Sequence, residues 1–188
     1  MRKLSVFNFI TLNGFYKGPG GDISWHKHGQ GDDEREFAAH GAQSESVLLF
    51  GRVTYEMMAS YWPTEQALKN DRAVAEGMNK SEKIVFSKTL KKPDWSNTRV
   101  IKDNIVEEIR KLKKTPGNDL TILGSGSIVS LFAEHGLIDT YQFMVDPLVI
   151  GSGTPIFHNI KKILDLRLIE NRAFKSGVLL LGYEPAKK

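Results

Sequence analysis

Two short segments of the chain place small, hydroxyl-bearing and cationic residues directly after an apolar run. They are Gly51-Arg52-Val53-Thr54, which follows residues 47–50, and Gly124-Ser125-Gly126-Ser127, which follows residues 120–123. If a strand ends and a helix begins at each segment, the free N–H groups of the helix N-terminus can hold a phosphate. Glycine lets the backbone approach the ligand. Arg52 adds a charge-assisted donor, and the serines and Thr54 add hydroxyl donors.

Two such segments in one chain indicate a ligand with separated phosphates. A dinucleotide that carries a pyrophosphate and a 2′-phosphate has this property. Val129 stands where a Rossmann fingerprint needs a third glycine, and the sequence contains no Gly-Lys-Ser/Thr P-loop. The alternative is that both segments are ordinary turns, in which glycine and serine serve as turn and cap residues. The residues alone leave both interpretations open.

Hydrophobic periodicity predicts the elements that would position these segments. Strands are predicted at residues 4–11, 47–50, 83–87, 98–101, 120–123 and 140–145, and helices at 32–43, 54–60, 105–114 and 128–135. Residues 167–175 and 178–183 predict a closing antiparallel hairpin. Strand–helix repeats followed by strands favour an α/β domain with a largely parallel sheet and an antiparallel edge. We find no linker or internal repeat, so a single domain over residues 1–188 is expected.

Composition excludes several classes of chemistry. The 188 residues include no cysteine, which excludes disulfides, thiolate zinc sites and cysteine nucleophiles. The net charge of +4 is modest and forms no dense basic stripe, so we expect an anionic cofactor and no nucleic acid. No apolar run has the length of a signal peptide or a membrane span, and we therefore expect no membrane contact and a cytoplasmic location.

Five segments, read in chain order, resemble the dihydrofolate-reductase-like family. The resemblance is strongest to the C-terminal reductase domain of the bifunctional riboflavin-biosynthesis deaminase-reductase, and it covers almost the whole chain. The deaminase motifs, His-x-Glu and Pro-Cys-x-x-Cys, are absent, so a stand-alone reductase is implied. The segments are Gly51-Arg52-Val53-Thr54-Tyr55-Glu56, Ile84-Val85-Phe86-Ser87, Ile122-Leu123-Gly124-Ser125-Gly126-Ser127, Leu137-Ile138-Asp139 and Val149-Ile150-Gly151-Ser152-Gly153-Thr154-Pro155-Ile156-Phe157.

The resemblance implies the dihydrofolate-reductase fold. This is a three-layer α/β architecture with a central, mostly parallel sheet of about eight strands, an antiparallel C-terminal edge and helices on both faces. It also implies NADPH as the cofactor. The residues that it assigns to cofactor binding are Gly51, Arg52, Thr54, Ser87, Gly124, Ser125, Gly126 and Ser127.

The resemblance is weaker in the acidic segment before the Gly-Arg strand. A dihydrofolate reductase needs one buried acid on the helix there, and Asp33 and Glu36 are the candidates, with Asp32 and Glu34 beside them. None of them has the family's sequence context. The alternative is that these acids are helix N-terminal charges that face solvent. A reductase with a substrate other than folate would not need the acid.

Asn13 and Trp25 are the candidate substrate contacts. Asn13 stands where the family often has aspartate at the end of the first strand, and an asparagine keeps the turn without supplying a carboxylate. A plain turn is an equal alternative. Trp25 lies in the glycine-rich segment 17–31, where its ring could stack on a flat heterocycle or anchor the loop.

The same segment carries His26 and His28, with Asp22 nearby. Two histidines without a paired third ligand are a weak metal pattern, so we expect loop residues and no metal.

These observations predict an NADPH-dependent reductase that transfers hydride to a planar heterocycle. The favoured substrate is 5-amino-6-(5-phosphoribosylamino)uracil, and a dihydrofolate or pteridine substrate is the alternative. A catalytically inactive NADPH-binding module is the alternative from another class. The resemblance also implies a homodimer, with residues 140–145 and 147–157 as part of its interface.

Overall fold

This computed structural model describes residues 1–27 and 31–186 of the chain. These residues contain ten strands and six α-helices. The strands are β1 (Leu4–Thr11), β2 (Phe15–Lys17), β3 (Val47–Gly51), β4 (Lys83–Phe86), β5 (Thr98–Ile101), β6 (Leu120–Leu123), β7 (Thr140–Asp146), β8 (Thr154–Pro155), β9 (Leu166–Ala173) and β10 (Leu179–Pro185). The helices are α1 (Asp32–Ala42), α2 (Arg52–Tyr61), α3 (Glu65–Asn70), α4 (Arg72–Lys80), α5 (Ile105–Lys114) and α6 (Gly126–Glu134). No helix of these residues has the length and apolarity needed to cross a membrane.

Eight of the strands form one sheet, in the order β5-β4-β3-β6-β1-β7-β10-β9. The six strands from β5 to β7 are mutually parallel, and β10 and β9 are antiparallel additions at one edge. The predicted architecture is therefore confirmed. Because the six strands are parallel, their carboxyl ends all lie at the same side of the sheet.

Helices cover both faces of this sheet. Ile109 of α5 and Val129 of α6 pack on one face, in a cluster that includes Val6. Tyr55 of α2 and Met78 of α4 pack on the other face, in a separate cluster with Phe50 and Val85. Strand β3 is buried on both sides, as its wholly apolar sequence predicts.

Most predicted boundaries agree with the structure, and one prediction needs correction. No element is predicted between Trp62 and Lys83, but α3 and α4 lie there; Thr64 and Asp71 cap them by accepting from the N–H groups three residues on. The predicted homodimer interface at residues 140–145 and 147–157 stays a prediction. Residues 140–145 are part of β7, which lies between β1 and β10, so both edges of this strand are already paired. The open edge of the sheet on this side is β9.

A buried lysine joins β4 to the end of α4. Lys83 is fully buried, and its ammonium group donates to the carbonyl oxygens of Met78 (2.8 Å), Asn79 (3.1 Å) and Ser81 (2.6 Å). These carbonyls lie at a helix C-terminus, where backbone acceptors lack helical partners. The ammonium also lies 4.5 Å from the ring centre of Trp95. Burial lowers the pKa of Lys83 to about 8.

Replacing Lys83 by methionine tests this arrangement. Lys83→Met keeps a long side chain but leaves buried carbonyl oxygens without donors, so we expect the free energy of unfolding at pH 7 to fall by about 3 kcal/mol. Urea denaturation measures the change. Lys80→Met, at an exposed lysine of the same helix, is the control and should change it by less than about 0.5 kcal/mol.

The pH dependence of the same comparison follows from the pKa of Lys83. The unfolded lysine titrates near its ordinary value of about 10.4. Between pH 8 and that value the unfolded chain binds more protons than the folded one, so the folded state gains stability as the pH rises. The stability difference between wild type and Lys83→Met should therefore widen from pH 8 to 10. A difference that stays constant or narrows would contradict the lowered pKa.

Candidate functional site

The two candidate turns lie side by side at the carboxyl edge of the sheet. β3 ends at Gly51 and α2 begins at Arg52, while β6 ends at Leu123 and α6 begins at Gly126. β3 and β6 are adjacent parallel strands, but α2 and α6 pack on opposite faces of the sheet. Adjacent strands whose helices leave to opposite faces open a crevice between them, and ligands of open α/β sheets bind in such crevices.

The hydroxyl group of Ser125 joins the two turns. Its Oγ accepts a hydrogen bond from the backbone N–H of Gly51 (2.7 Å) and donates to Oγ1 of Thr54 (2.9 Å). Ser125 is buried, and its φ of 63° is in the left-handed region, which a non-glycine residue seldom adopts. The hydroxyl of Thr54 still has its own hydrogen to donate to a ligand.

Glycine is required where the two turns touch. Gly124 has a φ of 65°, and a Cβ atom there would lie 2.8 Å from Cγ2 of Thr54. A Cβ atom at Gly51 would lie 3.0 Å from Oγ of Ser125, and one at Gly126 would lie 2.8 Å from the ring of Tyr16. The two turns can approach this closely because Gly51 and Gly124 have no side chains, and Gly126 leaves room for the ring of Tyr16 from β2.

The N-termini of α2 and α6 differ from the other helix N-termini of the described residues. α1 and α5 have acidic residues in the first turn, α3 has both an acidic residue and a side-chain cap, and α4 has a cap. Only α2 and α6, among these six helices, have neither. An anion is therefore free to accept from their first N–H groups, and no carboxylate of the first turn repels it.

Arg52 and Tyr55 occupy the first turn of α2. The Arg52 guanidinium donates to both carboxylate oxygens of Glu56 (2.8 and 2.9 Å), and both side chains are nearly half exposed. An exposed ion pair of this kind contributes little to stability, so Arg52 can exchange Glu56 for a phosphate at low cost. Tyr55 anchors the helix: its buried hydroxyl accepts from the N–H of Trp95 (3.0 Å), and burial raises its pKa.

Ser87 follows β4 at the same edge of the sheet, one strand beyond β3. Its Oγ accepts from the N–H groups of Thr89 (3.2 Å) and Leu90 (3.0 Å), which fixes the turn after the strand. The structure thus brings together the three cofactor segments at neighbouring strand ends. Cofactor binding by these residues stays a prediction.

Asn13 connects two loops. Oδ1 of Asn13 accepts from Oγ1 of Thr11 (2.8 Å), and its Nδ2 donates to the carbonyl oxygen of Ile150 (2.8 Å). The amide therefore holds the turn after β1 against the segment that contains Gly151. Asn13 therefore stabilises the turn after β1. Its contact with substrate stays a prediction.

The acidic helix α1 contacts the C-terminal hairpin. Asp33 accepts from the N–H of Lys175 (3.1 Å), and Glu36 is exposed. Glu34, which we did not single out, is buried and accepts from Oγ of Ser176. The expectation that these acids face solvent is therefore wrong for Glu34. A catalytic role of Asp33 or Glu36 stays a prediction.

A buried histidine–aspartate pair is the feature that the sequence analysis missed. Nδ1 of His26 lies 2.9 and 3.1 Å from the two carboxylate oxygens of Asp146, and both residues are buried. His26 lies in a loop, as expected, but no pattern in the sequence indicated its burial or its pairing with Asp146. His28 lies outside the described residues. Among those described, no group of three or more metal-ligating side chains comes together.

The sheet order and the paired helix N-termini define the class as a dihydrofolate-reductase-like α/β protein. Dihydrofolate reductase from Enterococcus faecalis, solved with NADP(H), has this fold, with a TM-score of 0.62, 13% identity, and 98% of this chain and 97% of that chain covered. The chain belongs to the RibD C-terminal domain family, whose model matches residues 2–180. It is an oxidoreductase of that family.

Two further proteins are similar to this chain. The uncharacterized protein YyaP of Bacillus subtilis (strain 168) is 31% identical over 182 residues, which cover 97% of this chain and 94% of YyaP. The fold also matches a diaminohydroxyphosphoribosylaminopyrimidine deaminase/5-amino-6-(5-phosphoribosylamino)uracil reductase from Thermotoga maritima. That match has a TM-score of 0.67 and 15% identity, and it covers 98% of this chain and 57% of that one.

Substitutions at Ser125 separate its hydrogen bonds from its backbone strain. Ser125→Ala removes both bonds and keeps the left-handed φ, so we expect the free energy of unfolding to fall by about 2 kcal/mol. Ser125→Gly removes the same bonds but relieves the strain, and should cost about 1 kcal/mol less. Urea denaturation measures both.

Ser130→Ala is the matched control for this series. Ser130 is a buried serine of the same helix whose Oγ has no hydrogen-bond partner among the described residues, so its replacement should be neutral or stabilising. Equal losses for Ser125→Ala and Ser130→Ala would show that the bridge between the turns contributes nothing.

Proposed function

We propose that this chain is an NADPH-dependent reductase that transfers hydride to a planar heterocycle. The observation that carries the proposal is the convergence of two helix N-termini that have neither caps nor first-turn acids. Both present N–H donors at one crevice of the sheet, where a dinucleotide can lie with its phosphates on the backbone. Family membership supports a reductase, and NADPH supplies the hydride when it is bound.

The proposed roles of the cofactor residues follow from their positions. Gly124, Ser125, Gly126 and Ser127 hold the pyrophosphate at the N-terminus of α6, where Ser127 is exposed. Gly51 and Thr54 form the opposite wall through the Ser125 bridge. Ser87 follows β4, the strand beyond β3 in the sheet, and Arg52 is the first residue of α2. Both are proposed to take the 2′-phosphate.

The proposed substrate is 5-amino-6-(5-phosphoribosylamino)uracil or a closely related aminopyrimidine. Membership of the RibD C-terminal domain family supports this choice over folate. Glu34 is a buried acid on α1 and so favours a pteridine as the second candidate, but Ser176 already donates to its carboxylate. Loss of NADPH absorbance with each compound distinguishes the two. If neither is reduced although NADPH binds, the protein is the inactive binding module.

An added carboxylate at the N-terminus of α6 tests the phosphate site. Ser127→Asp should stabilise the fold slightly, by about 0.5 kcal/mol, because an acid favours a helix N-terminus. The same charge should repel a bound phosphate and weaken NADPH binding about tenfold or more, measured by cofactor fluorescence. Ser127→Asn is the uncharged control. If Ser127→Asp binds NADPH as tightly as wild type, no phosphate of the cofactor binds at the N-terminus of α6. If the wild-type protein does not bind NADPH, the proposed function is wrong.

The choice between NADPH and NADH depends on Arg52. Arg52→Ala should lower the affinity for NADPH about tenfold and keep the affinity for NADH within about twofold of wild type, because only NADPH carries the 2′-phosphate. Glu56→Gln is the matched variant: it frees the guanidinium from its ion pair and should leave NADPH binding equal or tighter. If Arg52→Ala loses affinity for both cofactors equally, Arg52 binds the pyrophosphate or stabilises α2 and does not select the 2′-phosphate.

A further inference from the structure

The buried pair His26–Asp146 lies beside the strand ends that carry the proposed cofactor site. Asp146 is the last residue of β7, and its neighbour in the sheet is Thr11, the last residue of β1. In the sheet order, β1 and β7 follow directly after β6, whose carboxyl end leads to the turn at Gly124. Neighbouring strands lie about 4.8 Å apart, so the pair is about two strand spacings from that turn.

Contacts with β1 and β7 fix the position of His26. The imidazole ring stacks on Phe9 of β1, with ring centres 3.8 Å apart and planes 25° from parallel. Its Nδ1 contacts both oxygens of Asp146. The side chains of His26 and Asp146 are only 4% and 7% exposed. A loop residue is thus held as firmly as a core residue, by partners on two adjacent strands.

Trp25 adds a second unusual group next to this pair. Its ring is edge-on to His26, with ring centres 5.9 Å apart, and its indole N–H is buried without a hydrogen-bond acceptor among the described residues. A buried donor without an acceptor is unfavourable, and an oxygen or nitrogen acceptor on a bound heterocycle would satisfy it. This polar group therefore points to a ligand at the same place.

We propose that His26 donates the proton of the reduction and that Asp146 positions it. This inference rests on the proposed function. The carbon of a C=N or C=O bond of the substrate accepts hydride from NADPH, which becomes NADP⁺. The π electrons of that bond move to the heteroatom, which takes a proton from Nε2 of His26. Neutral His26 regains a proton from water after the product leaves.

Hydrogen-bonding chemistry assigns the two nitrogens of His26. A carboxylate can only accept, so Nδ1 of His26 carries a hydrogen towards Asp146, and Nε2 is the nitrogen that exchanges the transferred proton. Asp146 keeps the ring in this orientation. In this arrangement Trp25 donates to the substrate, which turns the heteroatom towards Nε2.

Magnetic resonance of the ¹⁵N-labelled wild type tests the placement with NADPH alone. We expect the Cε1–H and Nε2 resonances of His26 to shift when NADPH saturates the protein, and those of His40 and His135 to stay constant. We also expect Nδ1 of His26 to be the protonated nitrogen in neutral His26, and this preference to be lost in Asp146→Asn. If the chemical shifts of His26 do not change when NADPH binds, the inference is wrong.

Kinetics of His26→Asn test the chemistry. The asparagine amide can still donate to Asp146 but carries no transferable proton, so NADPH affinity should stay within about twofold of wild type. Hydride transfer to 5-amino-6-(5-phosphoribosylamino)uracil should fall about 100-fold or more, with the loss in kcat and not in KM. His40→Asn makes the same change at an exposed histidine and should keep full activity.

The outcomes separate this inference from the proposed function. A wild-type protein that does not bind NADPH ends the proposed function, and the proton-donor role with it. If wild type binds and oxidises NADPH with the substrate while His26→Asn retains its kcat, only the role of His26 is wrong. If His26→Asn does not fold, the wild-type resonances in the presence of NADPH still decide.

Discussion

The hydrogen bonds of the Ser125 hydroxyl are the constraint on which the candidate site depends. α2 and α6 belong to different layers of the molecule, because they pack on opposite faces of the sheet. Their N-termini meet only at the carboxyl edge, where Oγ of Ser125 contacts both Gly51 and Thr54. The pairing of β3 with β6 places the two strand ends side by side, and the Ser125 contact holds the turns beyond those strand ends against each other. A ligand with two phosphate groups needs the two sets of N–H groups at a fixed separation.

The backbone around this contact has unfavourable features that a turn without a binding role would not need. Ser125 adopts a left-handed backbone, Gly124 has a positive φ, and α2 and α6 begin with neither a side-chain cap nor an acid in the first turn. The other four α-helices of the described residues have acids in the first turn or side-chain caps, so the lack of both is specific to α2 and α6. Strain and uncapped donors that coincide at one crevice are typical of a binding site, since a ligand can supply the missing acceptors.

Local patterns were sufficient to predict the parallel sheet and the two turns. The run 47–50 is apolar at every position, and Gly51 and Gly124 directly follow strands, so strand, turn and helix could be predicted from neighbouring residues. Helices α3 and α4 were missed because they follow each other without an intervening strand, and single caps at Thr64 and Asp71 mark where they begin. The bridge from Ser125 to Gly51 could not be predicted, because it joins residues 74 positions apart and depends on the order of the strands.

Long-range pairing also explains why the substrate half is harder to predict than the cofactor half. The cofactor turns are built from consecutive residues, so their chemistry can be recognised within a segment. The partners of His26 and Glu34 come from more than a hundred residues away, at Asp146 and Ser176. A histidine in a glycine-rich segment therefore has no local pattern that distinguishes it from a loop residue. Because the hydrogen bonds that join such pairs do not involve the turns at Gly51 and Gly124, the residues at the ends of β1 and β7 can change while the proposed cofactor site is kept.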